Sequence, residues 1–432
     1  MQRFRAGFAT AQLSITHPIE LAGYGDERIA TETHDSLGVT ALVLSDGATT
    51  VGIASLDVFL VSRETRAAIS DRLGERGVPL DSLTVAATHT HSGPHLPNRT
   101  IELKPSHRDK DVDQAFLREV ERTTADALET AHANLEPASL QFGRAETTAA
   151  SENRRRVGPM SDEPRVPAGE IDPEVHVLRV ATDSGAELVV YNFACHPVCL
   201  TASEARVSAD WPGVVADRID AEIGAETLFL NGATGDINPL DWSIDRDSDA
   251  MYEFMTETGE TIADAVLAGY QDARTASPAD CAPITVDQRE VRFDVKAVPD
   301  TESLVERRET LRSERDAADG NRESQRLERD LSYVEELLAL ADWGCSRFPV
   351  TLQHVSVGPV GLLGVPAEVF VGHGLDLKAA ASEPLMPVGY ANGYIGYIPT
   401  LADLERVGYE VRTSVIAPES IVEFRRICRE MV

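Results

Sequence analysis

The run Val85-Ala86-Ala87-Thr88-His89-Thr90-His91-Ser92-Gly93-Pro94 constrains the fold more than any other stretch, because an apolar β-type segment stops abruptly on two histidines and a Gly-Pro turn. In an extended backbone, residues two apart project from the same face. His89 and His91 therefore point together beyond the strand's end, either as half a metal site or as a ligand beside an acid/base group. The rest of the chain has to decide between these readings and a merely packed pair.

At 432 residues, 42% of them hydrophobic, the chain can bury a large α/β core. Its 71 acidic and 40 basic residues give a formal charge of −31, and its lysines are Lys104, Lys110, Lys296 and Lys378. A field of that sign repels nucleic acid and anionic membrane surfaces, so neither is expected as a partner. It suits solubility in concentrated salt, where carboxylate repulsion is screened within about 3 Å at 1 M, and a halophilic protein is expected. The N-terminus, Met1 to Phe8, has no apolar signal segment, and no run approaches the roughly 18 apolar residues of a membrane span, which points to the cytoplasm. The five cysteines are an odd, scattered set and read as reduced thiols. Cys195 and Cys199 flank His196, but this pair without a second reads as two buried thiols before a thiolate metal site.

Along the chain, β-runs at Val39–Leu44 and Val51–Leu56 flank Ser45-Asp46-Gly47-Ala48 as a hairpin, with Asp57 at its end. A helical pattern from Ser62 to Glu75 then leads into the histidine strand. Strand, helix, strand implies a crossover that brings Asp57 and His89 to one carboxyl edge. Asp113 to Asn134 reads as a long amphipathic helix, preceded by a polar loop from Lys104. Ala149 to Gly169 reads as irregular and exposed, its Arg154-Arg155-Arg156 either a solvated charge run or a guanidinium supply for an anionic group.

Further β-runs at His176–Val180 and Leu188–Ala194 end on Cys195-His196-Pro197, and Ser208 to Gly213 caps a helix through Ala221. Thr227–Leu230 empties into Asn231-Gly232-Ala233-Thr234-Gly235-Asp236-Ile237-Asn238-Pro239. Three strand ends, at His89, His196 and Asn231, thus finish in polar turns, the way α/β enzymes gather distant residues. Asp249 to Ala273 reads as a helix, and the charged heptad-like segment 301–342 as an inserted helical hairpin broken at Ala318-Asp319-Gly320-Asn321. β-pattern returns at Thr351–Val357 and Gly361–Val365, after which Pro366-Ala367-Glu368 reads as opening a helix. The fold class is α/β: mixed sheets flanked by helices, in a single domain over 1–432.

A catalytic zinc needs about three protein ligands and an open position. His89 and His196 are candidate nitrogen donors, and Glu368 is a carboxylate that serves either a metal or a helix dipole. Asp57, Asp210 and Asp236 are candidates to orient ligand imidazoles, or else turn and cap carboxylates. No Gly-x-Ser-x-Gly elbow, phosphate loop or dinucleotide fingerprint occurs, while a glycosidase-type carboxylate pair stays open.

In this order the motifs resemble the neutral/alkaline non-lysosomal ceramidase family, zinc-dependent amidases with a Thr-His-Thr-His-Ser-Gly-Pro motif. The matching blocks are Ala87 to Pro94, Asn192 to Pro197 with Ser208-Ala209-Asp210, Asn231 to Pro239, Val365 to Glu368, and Tyr394 to Thr400 with Tyr409-Glu410. The resemblance implies that His89, His196, Glu368 and Tyr397 ligate Zn2+, and that His91, Arg154 and Tyr409 line the substrate and steady the reacting carbonyl. It implies hydrolysis of an amide, in an N-acyl lipid or related N-acyl compound.

Two departures bear on that expectation. Family members carry Gly-Asp-Val-Ser-Pro-Asn, with a serine implicated in cleavage, where this chain has Gly235-Asp236-Ile237-Asn238-Pro239-Leu240. Asn238 is no nucleophile, so attack would fall to metal-activated water, and the alternative is a non-catalytic lipid- or metabolite-binding homologue that retains the metal. The chain also ends at Val432, soon after Tyr409, so the family's immunoglobulin-like C-terminal domain is expected to be missing. With an acidic, cytoplasmic protein this argues against ceramide itself as the substrate.

Overall fold

The computed structural model describes residues 3–25, 27–98, 112–155, 169–280, 283–318, 321–406 and 408–432, without the side chains of 321, 322 and 325. Most of the loop read from Lys104, the larger part of 149–169 including Arg156, and the helix break at Asp319-Gly320 lie outside the described residues.

Eight strands form the main sheet, in the spatial order Glu226–Asn231, Glu187–Phe193, Glu174–Thr182, Glu136–Glu146, Arg5–Gln12, Gly38–Ser45, Thr50–Leu56 and Ser82–Ala87. The expected hairpin pairs Ser45 with Thr50, and the expected crossover sets Thr50–Leu56 parallel to Ser82–Ala87 through the helix Arg63–Glu75. Ser62 caps that helix by accepting from the Thr65 N–H, and Asp113 caps Gln114–Ala133 in the same way.

Alternation along each strand sorts its side chains between two layers. In Gly38–Ser45, Val39, Ala41 and Val43 pack under the helices, while Leu42 and Leu44 face a second sheet. That sheet has the order Ile284–Asp294, Arg347–Val357, Val360–Gly364, Leu385–Val388, and meets the first through Val355, Leu362, Met386 and Val388. Its outer face is closed by the helices Val371–Ala380 and Pro418–Met431, through Leu377, Phe424 and Ile427 against Val350 and Phe293. The result is a helix, sheet, sheet, helix stack.

The two edges of the main sheet come back together. Five antiparallel pairings separate the Thr50–Leu56/Ser82–Ala87 edge from the Glu187–Phe193/Glu226–Asn231 edge, so the two edge pairs run in opposite senses along the ladder. Each of seven interstrand steps adds a twist of about 20–25°, which turns one edge through roughly half a revolution relative to the other. Opposite strands therefore finish side by side. Ser55 Oγ donates to the Phe229 carbonyl, and Asn231 Nδ2 donates to the Thr88 carbonyl at 2.9 Å. This curl brings the ends that carry His89 and His196 to one place.

One sequence expectation fails locally. Glu368 does not open a helix: Glu368–Val369 is a short strand, and the helix starts at Val371. Glu368 N–H donates to the Gly396 carbonyl at 2.9 Å and its strand pairs in parallel with Tyr397–Ile398, a ladder that takes the backbone out of the helix. Helices Thr301–Ala317 and Asn321–Asp342 pack on each other through Leu304, Leu311, Leu327, Leu331 and Val334. Among the described residues, no helix is long and apolar enough to cross a membrane.

Candidate metal centre

The histidine strand ends in a left-handed residue. His89 has φ 72°, held there because Thr88 N–H and His89 N–H still donate to the Leu56 and Val58 carbonyls of the neighbouring segment, at 2.8 and 3.0 Å. The ring of His89 is fully buried between Phe59 and Tyr390, whose centroids lie 4.4 and 4.0 Å away in stacked orientation. Its Nδ1 sits 2.6 Å from the Phe59 carbonyl. His196 is held in the same manner, with Nδ1 2.9 Å from the Ile237 carbonyl. A carbonyl only accepts, so both Nδ1 atoms carry the proton and both Nε2 lone pairs face inward.

They face other acceptors. His196 Nε2 is 3.0 Å and His89 Nε2 3.7 Å from Glu368 Oε2, and His91 Nε2 is 3.3 Å from His89 Nε2. Ring nitrogens of His89, His91 and His196 all lie within 4.8 Å of one another. Burial pushes the His89 pKa down to about 3 and lowers His196 too, helped there by the charge of Arg154. Burial alone would raise Glu368, but His196, His89 and Arg154 around it hold it well below the usual carboxylate range. Neutral imidazoles around an ionised carboxylate, lone pairs convergent, are donors in the form a metal takes. The cluster fits a cation.

His91 differs from its neighbours. It is only half-buried, and its Nδ1 has no hydrogen-bond partner among the described residues. Its ring lies against Tyr24, at 4.9 Å and edge-on, and over Gly23, where a Cβ would come within 2.4 Å of the imidazole at a backbone φ of +91°. Only glycine leaves room for this ring.

A second group forms beside the first. Arg154 donates from Nε to Glu410 Oε1 at 2.9 Å, from Nη1 to Asn238 Oδ1 at 3.0 Å, and from Nη2 to the Gly235 carbonyl and the Tyr397 hydroxyl, each at 3.0 Å. Burial lowers the pKa of Arg154, but the Tyr397 oxygen and Glu410 outweigh it and keep the guanidinium charged. Of the two readings of the arginine run, the solvated one fails for both described members: Arg154 is largely withdrawn from solvent, and Arg155 is buried, donating to Glu410 Oε2 at 2.8 Å and lying over Phe370. Tyr397 pairs backbone to backbone with Glu368, and Tyr409, 54% exposed, sets its ring 6.0 Å from that of Tyr397 at the outer side.

The three aspartates do not orient the imidazoles, because backbone carbonyls have taken that place. Asp57 accepts from the Gly38 N–H, and Asp210 caps the helix Trp211–Ile223 while accepting from the Cys199 and Leu200 N–H groups. Asp236 accepts from the Val371 N–H and from Asn153 Nδ2, tying the Gly235 loop to the segment that carries Arg154. Cys195 and Cys199 are buried, burial raises their pKa well above the ordinary value, and both stay thiols. Two tyrosines have no role assigned from sequence, although Tyr394 opens one of the matching blocks. Tyr394 donates to Glu368 Oε1, and the Tyr390 hydroxyl lies 2.7 Å from Thr234 Oγ1 and 3.4 Å from His196 Nε2. The signal for them is the turn around Asn392-Gly393, where Tyr390 and Asn392 take positive φ.

Burial pushes the Asp57 carboxyl up from 3.8 to about 7, which fixes a pH dependence of stability. The native state holds this proton over a range in which the unfolded chain has released it, so the contribution is full below about pH 4 and is lost as pH rises through 7. Asp57→Asn keeps the acceptor for Gly38 and needs no proton. Its thermal midpoint is expected to match the parent near pH 4 and to exceed it by a few degrees at pH 8, corresponding to about 1–3 kcal/mol. A gap that does not grow with pH contradicts the assignment.

The sequence pattern described as neutral/alkaline non-lysosomal ceramidase, N-terminal, matches residues 12–272, more than half of the chain, and the protein belongs to that family. It is similar to the neutral ceramidase of Mycobacterium tuberculosis, at 24% identity over 418 residues, covering 81% of this chain and 62% of that protein. The chain thus spans 62% of the length of this relative. The crystal structure of neutral ceramidase from Pseudomonas aeruginosa superposes with a TM-score of 0.78 at 19% identity, over all of this chain and 74% of the other. A ceramidase described as complexed with C2 gives 0.75 at 17% identity, over all of this chain and 75% of its own. At these identities the two structures establish the shared α/β fold.

Proposed function

We propose that the protein is a zinc-dependent hydrolase that cleaves the amide bond of an N-acyl lipid or related N-acyl compound by metal-activated water. The observation that carries this reading is the convergence of the His89 and His196 lone pairs on the ionised Glu368, with each Nδ1 proton already given to a backbone carbonyl. Ligating histidines nearly always donate their second N–H in this way. His89, His196 and Glu368 would hold the ion, with Tyr397 as a further ligand, and zinc in such a set would lower the pKa of water to about 7 and polarise a carbonyl.

His91 is left for proton transfer, because its Nδ1 is committed to nothing and its ring is the more open of the three. Water adds to the amide carbonyl carbon, the C–N bond breaks, and one of the water's protons passes through His91 to the leaving nitrogen, giving a carboxylic acid and an amine; the acid then releases its proton, which the free amine can take up as ammonium. Arg154 opposes negative charge on the carbonyl oxygen by its buried positive field, and Tyr409 lines the outer side.

Asn238, in place of the family's serine, favours a second reading in which the metal is kept and turnover is lost. One experiment separates them: a panel of N-acyl amides and esters, assayed before and after chelation and after zinc is restored. Hydrolysis lost with the metal and recovered with zinc supports the hydrolase. A stoichiometric metal without hydrolysis supports the binding homologue, and activity that survives thorough chelation supports paired-carboxylate chemistry instead.

A further inference from the structure

Asn238 lies between the two groups of the site, hydrogen-bonded to Arg154 and next in sequence to the residue that holds His196. It sits on the short strand Ile237–Pro239, one residue after the carbonyl that holds the His196 ring, and its side chain is fully buried. Its orientation is settled by chemistry. Arg154 has only donors, so the Asn238 atom facing Nη1 at 3.0 Å is the oxygen, which leaves the NH2 group turned the other way. That nitrogen is buried and has no acceptor among the described residues. An orphaned buried donor costs about 1–3 kcal/mol, a cost rarely kept unless a bound partner removes it.

The guanidinium beside it is in the opposite condition. Four of the five N–H groups of Arg154 are taken, by Glu410, Asn238, the Gly235 carbonyl and Tyr397. Arg154 is therefore a poor direct donor to a substrate and a good clamp for the groups around it. We propose that Asn238 Nδ2 donates the hydrogen bond that holds and polarises the substrate's carbonyl oxygen, with Arg154 as the positioning residue that aims it. The residue that cannot attack thereby acquires a role in stabilising charge on the oxygen. This rests on the amide-hydrolase reading given above.

Asn238→Asp keeps the oxygen that faces Arg154 but exchanges the donor for a negative charge, Asn238→Ala removes oxygen and donor without adding charge, and Asn238→Ser restores a shorter donor. The three are compared with the parent on its best N-acyl substrate, and decanoate, which resembles the acid product, is titrated against each by calorimetry. Expected are a kcat lowered about 100-fold in the Asp and Ala variants with KM within about threefold, and Asn238→Ser recovering to within about tenfold of the parent. Decanoate is expected to bind at least about tenfold more weakly to the Ala variant, which adds no charge that would repel it, with its zinc content unchanged. Unaltered kcat and decanoate affinity in the Asp and Ala variants overturn the assignment, as does a loss of activity that tracks a fall in thermal midpoint and is not recovered by serine. A parent that hydrolyses nothing defeats the hydrolase reading alone, since the decanoate titration still reports on the donor.

Discussion

His196→Ala is expected to release the metal and abolish hydrolysis while the chain stays folded. The imidazole supplies one of the lone pairs that meet at Glu368, and it is locked there by the Ile237 carbonyl. Loss of a mere outer hydrogen-bond partner to a metal ligand costs about 10–100-fold in metal affinity, so loss of the ligand itself exceeds that range. Turnover should fall by at least about a thousandfold, the order expected when a catalytic metal is lost from a water-activating site. The metal-free fold should change little, because the alanine removes one of several acceptors crowded around the buried carboxylate. Parent protein is expected to gain thermal stability with added zinc, as any ligand specific for the native state produces, and the variant to gain none. Equal zinc content in the two proteins contradicts the ligand assignment.

Arg154→Met carries the second large effect, and here stability and activity fall together. The substitution strips Glu410 Oε1, Asn238 Oδ1 and the Gly235 carbonyl of a charged donor. Removing one partner of a buried ion pair costs about 3–5 kcal/mol, and Arg155, which still holds Glu410 Oε2, keeps the loss near the lower end. Catalysis should drop by about 10²–10³, since charge on the carbonyl oxygen then develops without the buried cation or the aimed amide. Arg154→Lys should recover little, because one ammonium cannot reproduce a fork that reaches four partners. Chemical denaturation and steady-state kinetics on the same preparations read both effects. A stability loss below about 1 kcal/mol, or full activity with lysine, sinks this account of the cluster.

Much of the scaffold was legible because local chemistry and tertiary packing agree. Ser62 and Asp113 cap the helices whose starts they mark, and the Ser45–Thr50 hairpin turns where its Asp-Gly predicts. The strand Glu136–Glu146 was not legible, since Pro137 follows a helix directly and suggests a break rather than a long central strand. Nor was Ile284–Asp294, whose charged alternating residues sit at the edge of the second sheet. The metal centre was legible as separate strand ends bearing His89 and His196, but their meeting depends on the accumulated twist of eight strands, which no local pattern encodes. Tyr390 and Tyr394 stayed hidden for a related reason: their hydroxyls reach the site only through a positive-φ turn that packs against the histidine strand.

The central claim is that one cation sits between His89, His196 and Glu368. Diffraction from crystals of the unsubstituted protein, measured on both sides of the zinc absorption edge, tests it most directly. An anomalous peak bounded by His89 Nε2, His196 Nε2 and Glu368 Oε2 is the predicted result. No peak there in zinc-replete, hydrolytically active protein would contradict the account.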